Sequence, residues 1–311
     1  MTPDHLRLLR LPVMVAPMFL VSGPEMVIAS ARNGLIGAFP TPNCRTGEQL
    51  DDWMTRIVAE TKDAPGLWAA NLVTHRTNSR FADDLALVAK HKPPVVITAL
   101  GSPAPAISVV HGYGGIVLAD ITSPTLGLKA AAAGADGLVA VSSGAGGHTG
   151  TLSPFAFISE LRSMFDGLIC VGGAISDGAG VAGAVAAGAD IVYMGTRFLA
   201  AEESLAVPDY KRMVVDAQLT DIVVSDIVTG TAASWLRPSL DANGYDLSGE
   251  AEAVARNYGG PDVGKRWKDV WAAGQGVGAV EASEPVAKII DQIEHEFKAA
   301  QQRLAAYGRA R

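Results

Sequence analysis

The sequence predicts an α/β protein: a (β/α)8 barrel over residues 1–205, followed by a mainly helical segment, 206–311, laid over the barrel mouth. Three observations carry this. Short apolar runs bounded by Gly, Pro or Asp stand at 13–17, 35–39, 67–71, 95–99, 115–118, 137–141, 168–172 and 191–194, with helical stretches between them. This is the pattern of parallel strands buried on both faces. The junction Ala131-Ala132-Ala133-Gly134-Ala135-Asp136 returns 54 residues later as Val185-Ala186-Ala187-Gly188-Ala189-Asp190. Two strand-helix units in that interval give about 27 residues each, the size of an undecorated barrel unit. Finally, glycine turns follow the last two strands, at Gly172-Gly173 and Gly195. A doubly wound open sheet is the alternative.

Taken in order, the apolar stretch 11–21 after Arg7 and Arg10 imitates a leader peptide, but Pro12 and Pro17 interrupt it and it is too short to span a bilayer. It reads as a first buried strand, which predicts an intact N-terminus and a cytoplasmic protein. Gly34, Gly134 and Gly188 each stand where a helix must close in a left-handed conformation before a strand. Phe155, Ile158 and Leu161, and again Val181, Ala184 and Val185, recur at helical spacing and read as core. Gly178-Ala179-Gly180-Val181-Ala182-Gly183 matches the dinucleotide pattern G-x-G-x-x-G. That pattern needs its first glycine in the turn at the strand end, where Gly172 and Gly173 already stand, and Asp177 reads as a helix N-cap. The later glycines are expected to let the helix pack on the sheet. Beyond Ala206 the rhythm stops: 207–218 reads as a helix, Asn243-Gly244 and Gly259-Gly260-Pro261 as loops, and 285–306 as a long amphipathic helix.

Composition narrows the ligands. The chain is 49% hydrophobic and 18% charged, has a net charge of −7 and carries no dense Lys/Arg cluster. Neither a nucleic-acid footprint nor a basic membrane-surface helix is indicated, so small molecules are the expected partners, with a homodimer compatible. Six scattered histidines offer no metal-ligand spacing, and no metal is predicted. Cys170 lies inside the apolar run 168–171 and reads as core, whereas Cys44 reads as a surface thiol. Two cysteines make no disulfide framework, which fits a reducing compartment.

In a barrel the chemistry gathers at the C-terminal ends of the strands. Those ends carry Met18, Pro40, Asn71, Thr98, Asp120, His148, Gly172 with Gly173, and Gly195 with Thr196. The run Gly144-Ala145-Gly146-Gly147-His148-Thr149-Gly150 offers close backbone approach plus a side chain suited to proton transfer, so it reads either as a cofactor pocket with a base or as a tight loop with a solvated histidine. The turns after strands seven and eight are where barrels build a phosphate site from backbone N–H groups and the start of a short helix. For Asp120, a ligand-binding role competes with capping of the helix that follows.

Ala16-Pro17-Met18, Asn71, Gly146-Gly147-His148-Thr149-Gly150, Gly172-Gly173-Ala174-Ile175 and Gly195-Thr196-Arg197-Phe198-Leu199, in that order, resemble the nitronate monooxygenase family, formerly the 2-nitropropane dioxygenases. The resemblance covers the barrel and returns at Ala273-Gly274-Gln275-Gly276. It implies an FMN-dependent TIM barrel oxidising nitronates or nitroalkanes with O2. By position, the Met18 backbone and the Asn71 side chain would touch the flavin ring, Gly146 and Gly147 would line the ribityl side, and Gly172, Gly173, Gly195 and Thr196 would hold the phosphate. Gln275 would approach from the lid, and His148 would face the substrate as base or hydrogen-bond partner.

Asp120 departs from relatives that carry lysine or an apolar residue there. A carboxylate beside the flavin would oppose negative charge on the ring unless a cation such as Arg197 lay near. The tail segments Ala233-Ser234-Trp235-Leu236-Arg237-Pro238 and Lys265-Arg266-Trp267-Lys268 leave the lid's selectivity open. The same glycine-histidine loop is also similar to FMN-dependent enoyl-thioester and quinone reductases that use NAD(P)H, and an FMN-binding barrel without turnover is a third reading.

Overall fold

The computed structural model describes residues 8–245 and 268–308. Eight parallel strands close on themselves: β1 (Val13–Val15), β2 (Ile36–Pro40), β3 (Leu67–Val73), β4 (Val95–Ala99), β5 (Ile116–Ile121), β6 (Gly137–Val141), β8 (Leu168–Gly172) and β9 (Ile191–Met194). A two-residue strand, β7 (Gly147–His148), sits outside this ring. The open-sheet alternative falls on the closing seam, where β9 pairs with β1 in the register Val13↔Val192, Met14↔Tyr193 and Val15↔Met194.

The connecting helices are α1 (Pro24–Arg32), α2 (Gly47–Thr61), α3 (Phe81–His91), α4 (Ala104–Gly112), α5 (Pro124–Ala132), α6 (Pro154–Met164) and α7 (Gly178–Ala186). Their ends follow local chemistry. Thr46, Ser123 and Asp177 cap α2, α5 and α7 by accepting hydrogen bonds from Gln49, Leu126 and Gly180. Gly34, Gly134 and Gly188 close helices at φ of 81°, 98° and 111°, left-handed values that L side chains resist.

Side chains alternate along each strand. Met14, Ile36, Ala38, Ala69, Ile97, Leu118, Val139, Cys170 and Ile191 fill the barrel interior, while their neighbours in sequence pack outward against the helices. Two residues beyond Leu118, the same phase points Asp120 toward the axis, and Tyr193 follows Ile191 in the same way. Thr98 takes the outward phase instead: its hydroxyl is buried and donates to Leu118 O at 3.3 Å. It therefore leaves the set of strand-end site residues.

Cys44 is not a surface thiol. It is fully buried with Phe39, Leu50 and Met54 beneath α2, where burial pushes its thiol up to about 12. The strand just before it and the helix just after it supply the apolar neighbourhood that hides it. Cys170 lies in the barrel interior as expected.

Beyond the barrel come α8 (Pro208–Asp216), β10 (Ile222–Ser225), β11 (Ala233–Leu236), α9 (Arg237–Ala242), a 3-10 turn (Gln275–Ala279) and α10 (Val286–Gly308). The sequence reading assigned no strands here. Antiparallel β10 and β11 add β7 as a third strand, in the register Ala233↔His148 and Ser234↔Gly147. Val228, Trp235, Leu240 and Val270 give this region a small core of its own.

The amphipathic helix α10 runs along the flank of the barrel against α7. A Cβ on Gly178 would fall 2.1 Å from Ile293 O and 2.2 Å from Phe297 N, so that glycine clears a path for α10 and not for the sheet. Among the described residues no helix is long and apolar enough to cross a membrane, and no group of His, Cys, Asp and Glu could hold a metal ion. Gly259-Gly260-Pro261 and Lys265-Arg266-Trp267 lie outside the described residues.

Candidate active site at the barrel mouth

A cavity of about 1470 Å³ opens at the C-terminal ends of the strands. Met18, Asn71, Asp120 and His148 line it, as do Gly146, Gly147, Gly172, Gly173, Gly195 and Thr196. Gln275 does not. Its N–H donates to Gly144 O at 2.9 Å and its side chain lies against Gly144, which puts it behind the glycine loop and away from the cavity.

Backbone geometry explains the glycines. Gly173 sits at φ 138°, and a Cβ there would fall 2.6 Å from Ser143 O. Gly146 is needed because the tail crosses it: a Cβ would meet Gly274 N at 2.7 Å and Ala273 C at 3.0 Å. The same tail segment is tied to the last turn by a hydrogen bond from Gly274 N–H to Thr196 Oγ1, 2.9 Å. Among the described residues, the N–H groups of Gly173, Gly195 and Thr196 find no protein acceptor. Buried or half-buried donors in that condition, facing a cavity, call for an acceptor from a ligand or solvent.

The start of α7, in contrast, is spoken for. Asp177 Oδ1 accepts from Gly180 N at 2.6 Å and Glu296 Oε2 from Gly178 N at 2.8 Å. Two carboxylates already occupy amides at the start of α7, which leaves the loop amides and the start of the short 3-10 turn Thr196–Phe198 as the free donors.

The β7–β11 pairing holds His148 by its backbone at the cavity wall. Burial lowers the pKa of its imidazole below the usual histidine value, which keeps the ring neutral at pH 7. Sequence reading found the residue but not the strand that holds it, because the partner residues lie far downstream.

The floor of the cavity is the uppermost inward layer of the barrel. Asn71 is buried there, and its Nδ2 makes one long hydrogen bond to Ile97 O, 3.4 Å. Asp120 is partly open to the cavity, yet its Oδ1 is shielded and has no hydrogen-bond partner. It does not cap the following helix, since Ser123 does. Burial alone pushes its carboxyl up to about 7. Arg197 does not serve it: the guanidinium turns into the tail, where Nη1 donates to Ala279 O and Nη2 to Gln292 Oε1 at 2.6 Å. Sequence reading missed Tyr193, although strand alternation from Ile191 marks it as inward-facing.

Met18 is held on both sides, its N–H donating to Ser22 Oγ at 2.9 Å and its carbonyl accepting from Asn43 Nδ2 at 3.1 Å. That carbonyl also accepts from Ser22 N at 3.0 Å and Val21 N at 3.2 Å, so both of its lone pairs are taken within the chain and no hydrogen bond to a flavin is left to it.

A closed parallel barrel with uncommitted amides, a neutral imidazole and a shielded carboxyl around the cavity at its mouth has the arrangement of a barrel protein with a small-molecule site at the C-terminal ends of its strands. The chain belongs to the nitronate monooxygenase family, whose model matches residues 48–296. It is 30% identical over 239 residues to a nitronate monooxygenase of Paraburkholderia phytofirmans, an alignment covering 69% of this chain and 63% of that protein. It is 28% identical to an octahydroindene carboxyl-CoA dehydrogenase of Rhodococcus jostii, covering 79% of this chain and 69% of that one. In structure it is similar to FabK from Thermotoga maritima, with a TM-score of 0.81 at 25% identity, covering 98% of this chain and 97% of that chain.

Proposed function

We propose that the protein is an FMN-dependent oxidoreductase that oxidises alkyl nitronates or nitroalkanes with O2, with His148 as the base or hydrogen-bond partner of the substrate. The observation that carries this reading is the neutral imidazole at the wall of a cavity whose far turns present unpaired amides. Those amides suit the FMN phosphate, and a cavity of about 1470 Å³ exceeds the roughly 300–1,000 Å³ of an ordinary ligand pocket, leaving room for both cofactor and substrate. The Asn71 amide would meet the flavin ring, the Met18 backbone would touch it by packing alone, and Gly146 and Gly147 would let it lie close to the backbone.

When bound, FMN supplies the electron-accepting centre that couples substrate oxidation to O2. The chain's own residues prepare the substrate. A nitroalkane has an acidic α-carbon, and a neutral imidazole within hydrogen-bond reach removes that proton; a charged one could not. With a preformed nitronate no proton need be taken, and the same ring then donates to a nitro oxygen. Trp271 and Tyr210, stacked at 5.2 Å, contribute to the cavity wall and help keep water from the reacting groups.

His148→Asn is expected to cost more in turnover of neutral nitroalkane than of preformed nitronate. Equal losses would remove the histidine from the role of base.

A second reading has its own observation. Arg45, Lys129 and Lys268 are exposed side chains lining the cavity, a basic fringe on an otherwise acidic chain. Such a fringe suits the phosphates of an acyl thioester or of NAD(P)H, as a thioester or quinone reductase of the same fold requires. Anaerobic mixing of the yellow holoprotein with a nitronate, NADH or NADPH separates the two. Rapid bleaching by a nicotinamide with none by nitronates would replace the first reading by the second.

A further inference from the structure

Asp120 poses a physical problem. It stands on the cavity floor with its Oδ1 shielded and unpartnered, where an ionised carboxylate would be a buried, uncompensated charge. The groups that face it are Cys170 on β8 and Tyr193 on β9, each kept in its neutral form by burial, with uncharged Asn71 on β3 in the same cavity. His148, at the wall above, is neutral as well. Arg197, the cation next in sequence to the phosphate turns, is spent on Ala279 and Gln292. No positive charge enters the balance of Asp120; desolvation is its sole perturbation.

We propose that Asp120 is a neutral carboxylic acid and hydrogen-bond donor, which presents its O–H to an acceptor atom of the flavin and so lets negative charge arrive on the ring without meeting a like charge. The inference rests on the flavin reading of the cavity. Its chemistry is that of a carboxyl kept protonated by its surroundings so that it can donate, the reverse of the usual acceptor role of aspartate. It also removes the conflict between a carboxylate at this position and an electron-accepting cofactor. Donation and protonation are one property here, since loss of the proton removes the donor and creates the charge together. Asp120 thus becomes a positioning and tuning residue for the cofactor, coupling flavin affinity to pH.

The test is FMN binding to the apoprotein, followed by quenching of flavin fluorescence from about pH 5.5 to about pH 8.5, a range bracketing the carboxyl's value of about 7. FMN's own phosphate titrates near pH 6, so the readout is the difference between wild type and Asp120→Asn, which keeps an N–H donor and cannot ionise. The wild-type affinity should fall by up to tenfold per pH unit above the carboxyl midpoint relative to the variant. Riboflavin, which lacks the phosphate, should show the same fall on wild type alone, a measurement that stands even if the variant does not fold. Parallel profiles for the two proteins, or a riboflavin affinity independent of pH, would overturn the inference and leave the flavin reading in place. Failure of the wild type to bind FMN at any pH would overturn both.

Discussion

Gly178 and Gly183 share one helix, yet an added methyl should act oppositely at the two positions. At Gly178 a Cβ would lie 2.1 Å from Ile293 O and 2.2 Å from Phe297 N. Both are backbone atoms of α10 and cannot rotate away, so the helix must move by more than an ångström to restore contact. Overpacking of that kind costs about 1–3 kcal/mol. The movement also strains the 2.8 Å bond from Gly178 N–H to Glu296 Oε2, a charge-assisted bond worth about 1.5–3 kcal/mol. Against this, alanine gains about 0.5–1 kcal/mol over glycine in a helix. The net expectation for Gly178→Ala is a loss of about 1.5–5.5 kcal/mol, which at about 2 °C per kcal/mol in a chain this long lowers Tm by about 3–11 °C. At Gly183 the nearest atom to a Cβ is Phe155 Cζ at 3.6 Å, an ordinary contact. Gly183→Ala should therefore be neutral or raise stability by up to about 1 kcal/mol. Calorimetric or denaturant unfolding of both variants decides the matter. If Gly178→Ala matches or exceeds wild type, or the two substitutions shift stability alike, the account of α10 seated on Gly178 is wrong.

Thr196→Val removes the acceptor of the Gly274 N–H at 2.9 Å and should cost about 1–3 kcal/mol for the orphaned donor, whereas Thr196→Ser should stay near wild type; unfolding curves compare them. Gly173→Ala places a Cβ 2.6 Å from Ser143 O at φ 138°, and FMN affinity measured by fluorescence quenching should fall at least tenfold, for about 1.4 kcal/mol or more of lost positioning. The raised carboxyl of Asp120 makes folded protein bind more protons than unfolded between about pH 4 and about pH 7, so stability falls as pH rises through that window. Asp120→Asn should abolish this decline, gaining up to about 4 kcal/mol relative to wild type at pH 8 compared with pH 4, less whatever cavity water screens. For His148 the sign is reversed: its lowered pKa means that kcat/KM for a neutral nitroalkane should hold as pH drops through 6.5 and decline only below it.

Much of the fold could be read before any coordinates. Buried parallel strands need apolar runs, and helices that turn back into them need a residue able to adopt positive φ; Gly34, Gly134 and Gly188 record that need directly. The strand-end positions followed, and with them Asn71, Asp120, His148 and the two glycine turns, because barrel geometry assigns one face to chemistry. Alternation could also have separated Tyr193, which faces the axis, from Thr98, which does not.

What eluded the sequence depends on contacts between distant segments. Nothing in Gly147-His148 announces a strand, since its partner Ala233-Ser234 lies on another segment. The reason for Gly178 is a helix that begins at Val286. Arg197 looked available to Asp120 until the tail claimed its guanidinium. The sequence by itself therefore determined the barrel, the glycines that close its helices and most of the groups at its mouth, because backbone sterics and hydrophobic period act over a few residues. Only the tertiary structure decided which of those groups are neutral, paired or left wanting a partner, because desolvation and charge compensation are set by neighbours that the chain brings together from far apart.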